Sequence, residues 1–182
     1  AGVQDMAAGM GSSWADYDGD ARLDLYVSNM FSSAGRRIAY QRQFRPEEDS
    51  ATRTAMQRHA RGNSLFRNLG NGTFEDVTER AGLTGGPVAS RGHWADFDAD
   101  GALDLLVVAA GERTRLFQNQ GAGAFVDVSD RAGLLDLRGG ERAEWLDYDA
   151  DGRLDLHIVH AQADVLYHNV GGGHLDATRF PR

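Results

Sequence analysis

The sequence predicts an all-β chain made of repeated units of four short antiparallel strands. Three observations lead to this fold class: an acidic motif occurs three times, each copy runs directly into an apolar segment, and other short motifs recur at matching distances around each copy. Repetition of this kind indicates one structural unit that is used several times. The β-branched, alternating residues that follow each acidic motif are typical of strands.

The acidic motif reads Asp-x-Asp-x-Asp-x-x-x-Asp, and we number its nine positions from the first Asp. Carboxylates this close together repel one another unless a cation or water separates them. Calcium takes six to eight oxygen ligands, which suits carboxylates at positions one, three, five and nine and a main-chain carbonyl at position seven. The predicted ligands are Asp16, Asp18, Asp20, Arg22 and Asp24 in loop one, Asp96, Asp98, Asp100, Ala102 and Asp104 in loop two, and Asp147, Asp149, Asp151, Arg153 and Asp155 in loop three. The sequence therefore predicts about three calcium ions.

Two other structures share parts of this motif. An EF-hand loop closes with an acidic residue at position twelve and continues into a helix. Position twelve is instead Val27, Val107 or Ile158, and the chain continues as a strand. A plain Asp-rich turn needs no cation, because Asp favours turns for backbone reasons alone. The same acidic positions in three copies favour calcium over a plain turn.

The loops differ at position six, where the chain turns sharply. Loops two and three carry Gly101 and Gly152 there, but loop one carries Ala21. A left-handed conformation costs a non-glycine residue about 1 to 2 kcal/mol. We therefore expect loop one to bind calcium most weakly.

The similarity extends beyond the loops. A Trp stands two residues before each loop, an Ala-Gly-Val or Ala-Gly-Leu linker precedes it, and Leu-Phe-x-Asn or Leu-Tyr-x-Asn lies downstream, before a glycine-rich turn. The predicted strands of the second unit cover about residues 91–96, 103–109, 114–119 and 124–128. Four antiparallel strands per unit are typical of a β-propeller blade. Trp14, Trp94 and Trp145 are interpreted as repeated core residues.

These residues resemble the FG-GAP or VCBS repeats of the integrin α-subunit N-terminal propeller. The calcium motif, the Leu-Phe-x-Asn-x-Gly-x-Gly-x-Phe hairpin and the Ala-Gly-Leu linker are most similar to bacterial secreted proteins of the ASPIC/UnbV-associated, cartilage-acidic-protein-like group. The resemblance covers nearly the whole chain. It implies a seven-bladed propeller in which the four Asp side chains of each loop hold structural calcium. Ala21 departs from the family pattern.

The repeats predict a single β-propeller segment over residues 1–182. Its first blade covers about residues 11–80 with an insertion at 31–62, its second about 91–130 and its third about 142–180. Propellers close with four to eight blades, so three blades leave apolar faces without neighbours. We expect further blades of a longer chain, or other copies of this chain, to cover these faces.

The insertion is the one basic region of the sequence. Seven Arg and three acidic residues lie within residues 31–62. The order Pro-Glu-Glu-Asp-Ser before residues 51–60 predicts a capped helix of about three turns. The insertion is interpreted either as a solvated surface loop or as a contact surface for a protein, an anionic glycan or a neighbouring subunit. The residues expected to make such contacts are Arg36, Arg37, Tyr40 and Arg42.

Composition argues against several classes of function. The formal net charge is −8, and no basic stripe with interleaved aromatic residues occurs, so we expect no nucleic-acid partner. The sequence contains no Cys, which excludes thiolate metal sites and thiol nucleophiles. No run approaches the roughly 20 apolar residues of a membrane helix. His160 and His168 are interpreted as ordinary strand residues.

The sequence favours an extracellular, secreted or cell-surface location. Calcium sites of extracellular modules have dissociation constants of about 0.1 to 1 mM and would stand mostly empty in cytosol. We expect a non-catalytic role in adhesion, protein-protein interaction or assembly, with structural calcium and a protein or glycan partner. No catalytic residue is predicted. Two alternatives remain open, a carbohydrate-binding module and a part of a polysaccharide-degrading enzyme.

Overall fold

The structure, a computed structural model, describes residues 9–29, 47, 49–59, 62–84, 90–109, 112–134, 138–160 and 163–181. These residues form three four-stranded antiparallel sheets, and within each sheet strands that are consecutive in the chain are neighbours. The strands are β1 (Gly9–Ala15), β2 (Asp24–Asn29), β3 (Ser64–Asn68) and β4 (Phe74–Asp76) in the first sheet, β5 (Ser90–Ala95), β6 (Asp104–Ala109), β7 (Arg115–Asn119) and β8 (Phe125–Asp127) in the second, and β9 (Gly140–Leu146), β10 (Asp155–His160), β11 (Ala163–Gly171) and β12 (His174–Pro181) in the third. The all-β fold class agrees with the prediction.

The three sheets share one register between their first and second strands. In each, the Trp before the loop pairs with the Leu after it, and the pairs are Trp14 with Leu25, Trp94 with Leu105, and Trp145 with Leu156. Each acidic loop therefore joins the first strand of its sheet to the second. The ladder brings the two ends of the loop side by side, which gathers its carboxylates at one end of the sheet.

A helix, α1 (Ser50–His59), lies between the second and third strands of the first sheet. Asp49 caps it, because its Oδ1 atom accepts hydrogen bonds from the amides of Ala51 and Thr52 at 2.8 and 2.9 Å. These bonds hold the pKa of Asp49 below its usual range, the bonds to Thr52 being the largest cause. The helix agrees with the sequence prediction for residues 51–60. The four expected contact residues, Arg36, Arg37, Tyr40 and Arg42, lie outside the described residues.

Apolar side chains fill the spaces between successive sheets. The cluster between the first and second sheets contains Tyr17, Tyr26, Leu65, Val77, Ala81, Leu83, Leu105, Val107, Phe117 and Phe125. The cluster between the second and third sheets contains Phe97, Leu106, Val108, Leu116, Val128, Ala132, Leu134, Ala143, Leu156, Ile158, Val165, Tyr167 and Leu175. Strand β6 contributes alternate residues to both clusters, which explains why all of its residues are buried and why its sequence is a nearly continuous apolar run.

Two of the three Trp residues pack in these clusters. The ring of Trp94 lies 6.3 Å from that of Tyr17 and 6.0 Å from that of Phe125, and the ring of Trp145 lies 6.4 Å from that of Phe97. Trp14 is 53% exposed. The prediction of a core position is thus confirmed for Trp94 and Trp145 and wrong for Trp14, because no described sheet covers the outer face of the first sheet.

Buried asparagines tie the second sheet to the first and the third sheet to the second. Asn119 Nδ2 donates to the main-chain oxygen of Tyr17 in loop one at 2.9 Å and to that of Leu103 in its own unit at 3.1 Å. Asn169 Nδ2 repeats the arrangement with Phe97 at 2.7 Å and Leu154 at 3.0 Å. The Asn of the Leu-Phe-x-Asn motif is therefore a link between sheets as well as a turn residue.

The Ala-Gly-Leu linkers form a second connection between sheets. The amide of Phe125 donates to the carbonyl of Ala81 at 2.9 Å, and the amide of Leu175 donates to that of Ala132 at 2.8 Å. Each linker thus bonds to the fourth strand of the sheet that follows it. Because these are main-chain bonds, the linker must approach that strand closely.

We expect Asn119→Ala to lower the free energy of unfolding by about 2 to 3 kcal/mol, because it removes a buried donor and leaves the Tyr17 carbonyl without it. Asn68→Ala is the matched control, since Asn68 Nδ2 donates to Leu23 in its own unit at 3.0 Å and both variants lose the same turn bond to a glycine amide. Urea denaturation measures both. A cost for Asn119→Ala no larger than that for Asn68→Ala would contradict the inter-sheet role.

Candidate metal site

The position-one carboxylate of each loop organises the loop main chain. In loop two, Asp96 accepts hydrogen bonds from the amides of Asp100 and Gly101, both at 3.0 Å. Asp16 and Asp147 accept the equivalent amides at 2.8 to 3.1 Å. The three loops therefore share one local main-chain structure, which the motif itself encodes.

The position-five carboxylate accepts a hydrogen bond from the amide of position seven. The N–O distances are 3.0 Å in loop one, 2.8 Å in loop two and 2.9 Å in loop three. In loops one and three the position-seven side chain, Arg22 or Arg153, also pairs with this carboxylate. Its Nε atom donates to the carbonyl of Asn68 or Asn169 at 3.0 or 2.7 Å. In loops one and three, position seven thus ties the loop to the hairpin. The ligand role of the position-seven carbonyl stays a prediction.

A residue of the neighbouring hairpin faces the position-three carboxylate. Arg67 Nε donates to Asp18 Oδ2 at 2.6 Å, and Arg67 Nη2 donates to Asp20 Oδ2 at 3.2 Å. The equivalent residue in the second sheet, Gln118, donates its side-chain amide to Asp98. In the third sheet the equivalent residue is His168, whose Nδ1 atom lies 3.4 Å from Asp149 Oδ2.

The position-nine carboxylate is buried and fixed by main-chain amides. Asp104 accepts hydrogen bonds from the amide of Asn119 at 2.7 Å and from that of Phe97 at 3.1 Å. Burial raises the pKa of Asp104 to about 7, and the nearby Asp98 and Asp100 add to this effect. Burial likewise raises the pKa of Asp24 to about 6. These raised pKa values mean that a charged carboxylate at Asp24 or Asp104 is costly without a neighbouring cation.

The carboxylates of each loop converge. One oxygen from each of positions one, three and nine lies within 4.8 Å of the others in loop one (Asp16, Asp18, Asp24) and in loop two (Asp96, Asp98, Asp104). In loop three the groups with this spacing are Asp147, Asp149 and Asp151, and Asp149, Asp155 and His168. The structure thus brings most of the predicted ligands together, whereas Asp20 and Asp100 at position five lie outside these groups.

The donor atoms fit a hard cation. Asp18 Oδ1 and Asp98 Oδ1 are buried and accept no hydrogen bond from a described residue. A buried carboxylate oxygen without a partner is unfavourable, and a cation among the carboxylates would satisfy it. Calcium prefers carboxylate oxygens, so the residues of loops one and two suit it.

All three loops contain a left-handed Ala. Ala21 has φ = 64° and is left-handed, as expected, but Ala99 and Ala150 at position four of the other loops have φ = 60° and 62°. Loop one carries Gly19 at that position, with φ = 73°. Each loop therefore contains one left-handed Ala, and strain at Ala21 gives no reason for loop one to differ. The feature that distinguishes loop one from the other loops is the Arg67 ion pair with Asp18.

Sequence analysis missed the residues that face the loops from the hairpin. Arg67, Gln118 and His168 all precede the Asn of the Leu-Phe-x-Asn or Leu-Tyr-x-Asn motif. A strand residue one before a repeated Asn and three before a glycine carries no signal that it reaches a loop many residues away. Alignment of the three units with one another could have singled out this variable position beside a constant Asn.

The chain was compared with curated protein sequences and with solved structures. No curated protein sequence matches the chain. A solved structure from a study of the specific recognition of non-reducing terminal N-acetylglucosamine by an Agrocybe aegerita lectin is similar, with a TM-score of 0.50 and 16% sequence identity over 94% of this chain and 38% of that one. The chain thus spans well under half the length of this structure, and the likeness shows the fold alone.

A comparison with protein families is more specific. The model of the FG-GAP-like repeat family matches residues 54–107 and 96–158. These overlapping matches contain loops two and three and together cover more than half of the sequence. No helix in the described ranges is long and apolar enough to cross a membrane. The finer resemblance to ASPIC/UnbV-associated proteins stays a prediction. The chain belongs to the FG-GAP-like repeat family.

Proposed function

We propose that the three acidic loops bind calcium and that the ions stabilise the packing of the sheets. The observation that carries this proposal is the convergence of position-one, position-three and position-nine carboxylates in loops one and two, with a buried, unsatisfied oxygen at position three. The ligands would be the twelve Asp carboxylates and the carbonyls of Arg22, Ala102 and Arg153.

The proposed role is structural because loops one and two also belong to inter-sheet contacts. Tyr17 and Phe97, at position two of loops one and two, pack in the clusters between sheets. Their main-chain oxygens accept the Asn119 and Asn169 bonds. A cation that holds the carboxylates on either side of position two would fix both the ring and the carbonyl, and so would strengthen the junction with the next sheet.

The proposed order of calcium affinity follows from the cations near each loop. Loop one contains the Arg67 ion pairs with Asp18 and Asp20, and the side chains of these two carboxylates are only 11% and 18% exposed. A guanidinium at this distance competes with calcium for the negative charge of the same carboxylates. The Gln118 amide that faces loop two is neutral, so loop two would bind calcium more tightly than loop one.

We expect Arg67→Gln, which places the second-sheet residue in the first sheet, to raise the calcium affinity of loop one by roughly 10-fold, since removal of one nearby charge is worth about 1 kcal/mol or more near a protein surface. Calorimetric titration of the variant and of the unmodified chain measures the change. Arg115→Gln is the control, because Arg115 pairs with Asp127 away from the loops. An unchanged weakest site in Arg67→Gln would contradict the competition.

We also propose that the chain is part of a β-propeller. Trp14 on the first sheet is 53% exposed and Tyr148 at position two of loop three is 49% exposed. Their counterparts within the chain, Trp94 and Tyr17, pack against each other. Trp14 and Tyr148 are therefore each one half of such a contact, at opposite ends of the three sheets. Further repeats or another copy of the chain would supply the missing halves.

The proposed setting is extracellular, with adhesion or protein assembly as the role and no catalysis. FG-GAP repeats are typical of extracellular proteins, and calcium loops of modest affinity require the millimolar calcium found there. A protein or glycan partner would contact the outer edges of the sheets or the basic insertion. Solution scattering and mass measurement with calcium would test assembly, since a monomer at all concentrations would contradict closure by copies of the chain.

Glycan binding is the second candidate. A cleft of about 290 Å³ lies between loops two and three, lined by Asp96, Asp98, Arg153 and Asn169 among others. Carboxylate, guanidinium and amide groups around a small cleft can bond sugar hydroxyls, and the lectin that shares this fold recognises terminal N-acetylglucosamine. Titration of the calcium-loaded chain with N-acetylglucosamine, followed by NMR, would show shifts at Arg153 if the cleft binds it. Shifts nowhere in the cleft would reject this candidate.

A further inference from the structure

Loop three differs from the other loops in the residue that faces its position-three carboxylate. The first and second sheets place Arg67 and Gln118 there, and the third places His168. A guanidinium has no lone pair for a metal, and Gln118 points its amide nitrogen at Asp98. A neutral imidazole is a common metal ligand. Among these three equivalent residues, His168 alone brings a nitrogen ligand to its loop.

The geometry around His168 is that of a shared cation site. Its Nδ1 atom lies 3.4 Å from Asp149 Oδ2 and 3.3 Å from Asp155 Oδ1. This nitrogen is buried and makes no hydrogen bond to a described residue, although two carboxylate oxygens lie beside it. Ligand atoms bonded to one tetrahedral zinc at about 2.0 to 2.2 Å lie roughly 3.3 to 3.5 Å apart. Both nitrogen–oxygen distances have this spacing, and each of the three residues offers a ligand atom within 4.8 Å of the others.

Two of the three groups are held in place by their surroundings. Asp155 is fully buried, and its oxygens accept hydrogen bonds from the amides of Asn169 at 2.7 Å and Tyr148 at 3.0 Å. The Tyr148 ring meets the His168 ring edge-on, with centroids 5.8 Å apart. Asp149 is exposed and leaves one side of the group open to water. A preorganised ligand set with one open side is typical of a zinc site that keeps one coordination position for water or another ligand.

We propose that Asp149, Asp155 and His168 bind a transition-metal dication of the zinc class, in competition with calcium at loop three. This inference rests on the proposed function in that it takes loop three to be a cation loop. Imidazole favours zinc, cobalt, nickel and copper, whereas calcium prefers an all-oxygen shell. Asp149 and Asp155 are also among the calcium ligands that we propose for loop three, so the two kinds of ion share these ligands. Loops one and two, which have no imidazole, remain calcium sites.

Cobalt(II) is the probe, because its visible absorption reports nitrogen ligation and coordination geometry. We expect cobalt to bind the whole chain and His168→Gln to lower its affinity by about 10-fold to 100-fold. The same substitution should leave calcium stabilisation from loops one and two in place. Since Gln occupies the equivalent position of the second sheet, the variant should fold. His174→Gln is the matched control, because His174 also lies 3.3 Å from a carboxylate, that of Asp176, but outside the loop.

An unchanged cobalt affinity in His168→Gln, with calcium stabilisation intact, would overturn this inference and leave the proposed function standing. If calcium does not stabilise the unmodified chain, the proposed function is overturned instead. Should the variant unfold, the nitrogen NMR shift of His168 Nδ1 in the unmodified chain decides: a change with zinc supports ligation, and no change with zinc refutes it.

Discussion

Calcium at 10 mM is expected to raise the melting temperature of the chelator-treated chain by on the order of 10 °C or more. With a dissociation constant of about 0.1 to 1 mM at each loop, this concentration is about 10 to 100 times that constant and contributes about 1.4 to 2.7 kcal/mol per ion. Three ions would add roughly 4 to 8 kcal/mol, and 1 kcal/mol corresponds to about 2 to 4 °C in a chain of this size. Differential scanning calorimetry measures the shift.

Magnesium at the same concentration is the control for this experiment. Magnesium demands a smaller, near-octahedral shell and dehydrates reluctantly, so the flexible carboxylate loops should respond to it far less. An equal rise with magnesium would indicate general screening of the clustered carboxylates. A melting temperature that is the same in calcium and chelator would mean that the loops are stable by their hydrogen bonds alone.

Gly133→Ala is expected to destabilise the chain by about 3 to 5 kcal/mol, more than a typical substitution. Gly133 has φ = 82°, which costs an Ala about 1 to 2 kcal/mol. A Cβ atom there would also lie 2.5 Å from the main-chain oxygen of Leu175. That contact is beside the Leu175 to Ala132 hydrogen bond between the second and third sheets, so the linker would have to move away. Urea denaturation measures the loss.

Gly121→Ala separates the two causes of this loss. Gly121 has φ = 78°, close to that of Gly133, but a Cβ atom there would meet nothing within 4 Å. Its cost should be only the conformational part, about 1 to 2 kcal/mol. Equal losses in the two variants would show that the close approach of linker to strand is not important for stability.

The repeated strands and loops could be predicted because their signals are local. The position-one and position-five carboxylates bond to amides within five residues along the chain, as Asp96 does to Gly101, so the motif contains both partners. The strand pattern after each loop is equally local. The predicted strands of the second unit agree with the observed β5 to β8 within about one residue at most ends.

The contacts that decide differences between the loops could not be predicted in this way. Arg67 meets Asp18 across 49 positions of the chain, and Asn119 meets Tyr17 across 102. Neither contact leaves a pattern in the surrounding residues. His168 was interpreted as a strand residue for the same reason, because its neighbours in sequence give no sign of the loop that it faces.

Loop one also shows where a local argument fails. Ala21 stands where the other loops have Gly, and the expected left-handed conformation is present, with φ = 64°. Position four offsets the strain at Ala21, because this second left-handed position is Gly19 in loop one and Ala99 or Ala150 in the others. A comparison of one position at a time could not reveal that the left-handed glycine and the left-handed alanine exchange places between loops.

The most direct test of this account is a count of the calcium ions bound per chain at saturation, measured by equilibrium dialysis with elemental analysis. We expect about three ions for the unmodified chain. Asp98→Asn, which removes the charge of the unsatisfied carboxylate in loop two, should reduce the count by one at a calcium concentration that just fills the loops of the unmodified chain. A count of zero for a folded chain would contradict the account, because the converging carboxylates would then exist without the cation that we infer for them.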